Sequence, residues 1–114
     1  MQIKTALIAA SLVGFGSGVF AAEFVKLSGA EIEAALDDHR LIYDLETSQD
    51  FEASGRTLYY SGRESLGYWR IQGDQYCSTW PPNAGWECYD VERSGDVIRF
   101  ISSRGHITDG RFPD

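Results

Sequence analysis

The chain predicts an α+β, mainly β domain: one short N-terminal helix, then an antiparallel β-meander of about six strands, curled into a half-barrel. Three observations predict it. Apolar residues repeat at helical spacing only once, in "LSGAEIEAALDD". From residue 40 onward the period drops to two, and Gly-bearing turn signals recur about every eight to twelve residues. Finally, the only two cysteines, Cys77 and Cys88, bracket a Pro-Pro and Asn-Ala-Gly stretch in the manner of a pinned hairpin.

Ahead of the domain, "MQIKTALIAASLVGFGSGVFAAEF" has a charged start at Lys4, an apolar middle and a small-residue exit. That order reads as a secretory signal peptide over 1–21, cut between Ala21 and Ala22. The apolar run is interrupted by Gly14, Gly16 and Gly18 and is shorter than the roughly 20 residues of a spanning helix, so an anchor is disfavoured. The mature chain, 22–114, is then a single small domain, periplasmic or secreted and not membrane-spanning.

Ser28 stands three residues before Glu31, the spacing of a capping box. Leu27 and Ile32 have the spacing of a hydrophobic staple, and Ile32, Ala35 and Leu36 form one apolar stripe. A helix of about ten residues is too short to stand alone in water, so it must pack on the sheet. Asp37-Asp38-His39 ends it. The strands follow: 40–45, 57–61, 66–72, 75–80, 86–92 and 97–103, with a weak last strand at 106–112. The polar stretch 46–56 reads as a loop. In the third strand Trp69 and Ile71 share one face and Tyr68 and Arg70 the other.

If Cys77 faces Cys88 across the hairpin, Tyr76 faces Tyr89 and Gln75 faces Asp90. One face then holds Cys77, Cys88 and Asp90. The other holds Tyr76, Tyr89 and Val91, joined by Trp69, Ile71, Ile98 and Phe100, and a slip of one residue would destroy that agreement. Opposed residues lie within disulfide reach. An even cysteine count in an exported chain points the same way. A zinc site lacks ligands near the pair, since His39 and His106 are remote in sequence, and a redox pair would favour Cys-x-x-Cys. The pair is therefore read as a structural disulfide, with no metal and no cofactor.

Composition narrows function further. Formal charge is −7, and −8 once Lys4 is removed, so nucleic acid is a poor partner. There is no Gly-x-Ser-x-Gly nucleophile turn and no phosphate-cradling Gly-rich loop. Asp90 and Glu92 share a strand face and are the best carboxylate pair for a small hydrolase, provided that a concave pocket surrounds them. No catalytic residue is assigned. Trp80-Pro81-Pro82 and Trp86 flank the hairpin loop; aromatic rings beside prolines form either a stacking surface or a cover for the core. The candidate binding residues are Tyr68, Trp80, Pro81, Pro82, Trp86 and Asp90.

Trp69 before Gly73-Asp74, Tyr76-Cys77, Trp80, Trp86, Cys88-Tyr89, Gly95-Asp96 and Phe100 form a series over about residues 66–105. In this series the chain resembles small exported proteins of proteobacteria of unknown function. The resemblance implies a periplasmic setting and brings no activity. More loosely, the chain is similar to the C-type lysozyme inhibitors, which are also small, periplasmic, disulfide-pinned and antiparallel. The expected function is a non-enzymatic binding or envelope-interaction module for a protein, peptide or glycan partner in the cell envelope. The second expectation is an inhibitor of a basic hydrolase such as lysozyme, and the third the Asp90/Glu92 hydrolase.

Overall fold

The computed structural model describes residues 23–114, so the expected leader, 1–21, lies outside the described residues. The elements are β1 (Val25–Lys26), α1 (Gly29–Leu36), β2 (His39–Asp44), β3 (Thr47–Phe51), β4 (Arg56–Ser61), β5 (Glu64–Gln72), β6 (Gln75–Thr79), β7 (Glu87–Ser94), β8 (Val97–Ser102) and β9 (Ile107–Arg111). Strands β2 to β9 run up and down in sequence order, every neighbour antiparallel, and β9 returns to β2 through Ile42↔Arg111. Eight strands thereby close into a barrel, and β1 adds a ninth along β7 through Val25↔Arg93 and Lys26↔Glu92.

The mainly β, one-helix class holds, whereas the half-barrel of about six strands gives way to a closed barrel. Closure pairs the edges that an open meander would leave exposed. The expected loop at 46–56 is also corrected. It contains β3, which pairs with β2 through Leu41↔Gln49 and with β4 through Phe51↔Thr57. Of that stretch only Glu46, in the β2–β3 turn, and 52–55 lie outside strands.

The helix starts as its sequence dictates. Ser28 Oγ accepts the Glu31 N–H at 3.2 Å and Glu31 Oε1 accepts the Ser28 N–H at 2.8 Å, a complete capping box. Its first turn rests on the β5–β6 turn, where Asp74 Oδ1 accepts the Gly29 N–H at 2.7 Å. Gly29 lies so close to the Gly73 carbonyl that no side chain fits between them. The chain leaves the helix at Asp37 and turns through Asp38, whose φ of 57° is left-handed. Ile32 and Leu36 are fully buried. Because α1 runs directly into the start of β2, it plugs the barrel end that also carries the β3–β4, β5–β6 and β7–β8 turns.

Beneath that plug the inward positions of the strands form the core: Leu41, Phe51, Trp69, Tyr76, Val91, Ile98 and Phe100. Phe51 sits at its centre, with ring centroids 5.8 Å from Trp69, 5.8 Å from Tyr76 and 6.5 Å from Phe100. Burying aromatic side chains of this kind stabilises by roughly 1.5–3 kcal/mol each. Trp69 keeps its indole N–H satisfied by donating to the Glu52 carbonyl at 2.9 Å.

The hairpin register is the one that the cysteines require. Cys77↔Cys88 and Tyr76↔Tyr89 are Cα partners, and the two sulfurs are bonded. The disulfide sits on the outer wall of the barrel and both tyrosines point into it.

Candidate functional site

The helix covers one end of the barrel, and the apolar core fills only that half. Toward the other end the inward residues turn polar and aromatic. There the β2–β3, β4–β5, β6–β7 and β8–β9 connections surround an open cavity of about 830 Å³.

The floor is a hydrogen-bonded layer. The Tyr43 hydroxyl donates to Gln49 Oε1 at 2.6 Å. Gln49 Nε2 donates to Thr57 Oγ1 at 2.8 Å and to the Tyr76 hydroxyl at 3.3 Å. The Thr57 hydroxyl donates in turn to the Asp50 backbone carbonyl at 2.7 Å. Gln49 is thus buried without an unmet hydrogen bond, as a polar group inside a barrel must be. Burial pushes the Tyr76 phenol up to about 12 against the opposing hydrogen bonds of Ser78 and Gln49, and it raises Tyr43 as well. Tyr89 is raised first by burial and then by the neighbouring charge of Glu87. All three phenols are neutral at physiological pH.

The walls are Tyr43, Tyr59, Ser78, Trp80, Tyr89 and Phe100, and Leu66, Pro81, Pro82, Asn83 and Thr108 stand at the rim. Trp80 follows β6 in its inward register. Its Nε1–H donates to Ser78 Oγ at 3.3 Å, and its ring meets Tyr59 edge-on with centroids 6.0 Å apart. The loop that bears it is tied at both ends. The Thr79 hydroxyl donates to the Gly85 carbonyl at 2.7 Å, and the Asn83 N–H to the Trp80 carbonyl at 3.0 Å. The disulfide fastens the strands below.

The candidate binding residues divide between two surfaces. Trp80, Pro81 and Pro82 line the cavity. Trp86 stands outside, under the guanidinium of Arg70, which lies 3.9 Å from its ring centroid. Tyr68 is exposed on the same outer wall, since β5 alternates as expected. Asp90 is also outward. It accepts from Gln75 Nε2 at 3.1 Å and from Lys26 Nζ at 3.2 Å, and these contacts hold its carboxyl below the usual range. Glu92, two residues on, shares that outer wall. The barrel surface is convex there, so the two carboxylates do not face the cavity.

Sequence reasoning missed Gln49 and Thr57 of the floor, Tyr43, Tyr59 and Ser78 of the wall, and Thr108 at the rim. One signal for part of it was present. The cysteine register turns Tyr76 and Tyr89 inward, and period-two alternation from Tyr76 puts Ser78 and Trp80 on the same inner face.

Among the described residues no group of three or more His, Cys, Asp or Glu is placed to hold a metal ion, and no helix is long and apolar enough to cross a membrane. No protein-family model, no curated protein and no solved structure matches the chain.

Proposed function

We propose that the chain is an exported, non-enzymatic binding protein whose small-molecule ligand enters the open end of the barrel. One observation carries the reading: a barrel plugged by α1 at one end and hollow at the other, with about 830 Å³ lined by aromatic rings over a satisfied polar floor. Ligand sites are typically concave, about 300–1,000 Å³, mostly apolar and supplied with a few fixed polar groups, and the mouths of small β-barrels are a preferred place for them. Export is supported by the leader-like N-terminus and by the Cys77–Cys88 disulfide, a bond that persists in oxidising compartments.

The test is retention of a ligand. The protein would be isolated without denaturation after exposure to a small-metabolite extract, then weighed by native mass spectrometry. The reading expects a bound mass on the native chain and its loss from Thr108→Trp, which sets a large ring at the rim. A chain that retains nothing, or a mass held equally by the variant, contradicts it.

A second reading has its own support. Leu45, on the β2–β3 turn at the open end, is fully exposed, and the pinned 80–86 loop stands at the same end. An apolar tip beside a stiffened loop suits insertion into a partner's cleft, as an inhibitor of a basic hydrolase would require. A salt-sensitive complex with lysozyme would support that reading, and free passage through a lysozyme column at low salt would remove it.

A further inference from the structure

We infer that the barrel mouth selects a small organic cation, an ammonium group carried on an apolar or aromatic body. This rests on the binding reading above and names the ligand class for the same cavity.

The charges come first. Asp44 lines the cavity, and among the described residues no Lys, Arg or His side chain does so. An anion would meet a carboxylate and no counter-charge, within a chain whose formal charge is −7. Asp44 is already fixed in place, because its Oδ1 accepts the Glu46 N–H at 2.9 Å.

The hydrogen bonds point the same way. Tyr43 spends its O–H on Gln49, both Gln49 amide bonds go to Thr57 and Tyr76, and the Trp80 N–H goes to Ser78. The Tyr43 O–H, the Gln49 amide and the Trp80 N–H are thus used within the protein. What these oxygens still offer are lone pairs, which accept and do not donate. A ligand rich in N–H donors fits them.

Ring orientation adds a third argument. Tyr43 and Tyr59 meet at 44° with centroids 6.2 Å apart, and Tyr59 and Trp80 at 73°. One pair is tilted and the other edge-to-face; neither is stacked face on face, so the rings do not cover all of one another's faces. An aromatic face carries the negative side of the ring quadrupole and attracts a cation within about 6 Å. Carboxylate, oxygen lone pairs and ring faces therefore all present negative potential to the same cavity.

Three probes of nearly equal size separate charge from shape: 2-phenylethylammonium, 2-phenylethanol and phenylacetate. Each would be titrated into the isotope-labelled protein while the Trp80 indole N–H is followed by NMR. The ammonium is expected to bind about ten-fold tighter than the alcohol, and phenylacetate more weakly than either. Asp44→Asn, which keeps the acceptor for Glu46, should weaken the ammonium about two- to three-fold and leave the alcohol unchanged. Tyr59→Leu keeps apolar bulk but removes a ring face, so the ratio between ammonium and alcohol should shrink. Equal affinity for ammonium and alcohol, or a preference for phenylacetate, overturns the charge selection and leaves the binding reading standing. If none of the three moves the Trp80 signal, the selection fails, and the native mass measurement decides the binding reading separately.

Discussion

Trp80 reaches the cavity wall because residue 67 has no side chain: a Cβ on Gly67 would stand 2.5 Å from Cε3 of the Trp80 indole. The same Cβ would lie 2.7 Å from the Thr79 carbonyl oxygen, which belongs to the backbone and cannot swing aside. Gly67→Ala is therefore expected to lose about 1–3 kcal/mol, the usual cost of overpacking, and to move the Trp80 ring. Urea unfolding measures the first effect and a shifted Trp80 indole resonance the second. An unchanged resonance would mean that the ring does not depend on this glycine.

The disulfide has a separate role. It closes a short loop, with Cys77 and Cys88 separated by 11 in sequence, and holds the strands that carry Trp80 and Tyr89. Replacing both cysteines by Ala should cost about 3 kcal/mol on the chain-entropy estimate. Reduction of the native protein should lower its thermal midpoint in the same direction, and an unaltered midpoint would deny the bond a structural part.

The buried phenols set an alkaline limit. Tyr76 is raised to about 12, and Tyr43 and Tyr89 are raised as well, each chiefly by burial. In the unfolded chain tyrosine ionises near 10. Below that pH both states keep the proton, so the stability is fully present. Above it the unfolded state releases protons that the folded state retains, and stability falls as pH rises toward 12. For Tyr76 alone the loss is on the order of 2–3 kcal/mol. Urea midpoints at pH 8, 10 and 11.5 should decline only beyond 10, and Tyr76→Phe should decline less.

The helix plug depends on its cap. Ser28→Ala removes the oxygen that accepts the Glu31 N–H and should cost about 1 kcal/mol. Hydrogen exchange should rise first in 29–36, while the amides of β4 to β6 stay protected. A uniform rise over the whole barrel would place the helix inside a single cooperative unit with the strands.

What could be read from the sequence follows from periodicity. The capping box at Ser28 and Glu31 is local and legible, as is the Tyr76/Tyr89 face, because the cysteines fix its register. Strand β3 was hidden for a physical reason. Its inward Gln49 belongs to a polar cavity floor, so "TSQDF" lacks the apolar alternation that marks a strand packed on a dry core. Strand β1 is only two residues long. Closure rests on Ile42 meeting Arg111, a pairing across nearly the whole domain that no local pattern encodes. The cavity was obscured for a related reason. Period-two alternation says which side of a strand Trp80, Tyr59 or Trp86 occupies, but not whether that side is packed or hollow. Trp80 and Trp86 look alike in sequence, yet one lines the mouth and the other lies against Arg70 outside.

The three tryptophans supply the most direct measurement of the central claim, because each reports on a different place: Trp69 in the packed half, Trp80 in the open half and Trp86 on the outer wall. A fragment collection would be titrated while their three indole N–H resonances are recorded. Binding in the barrel mouth predicts shifts of the Trp80 resonance, with Trp86 unmoved. Shifts confined to Trp86, with Trp80 silent, would put recognition on the outer wall and contradict the account.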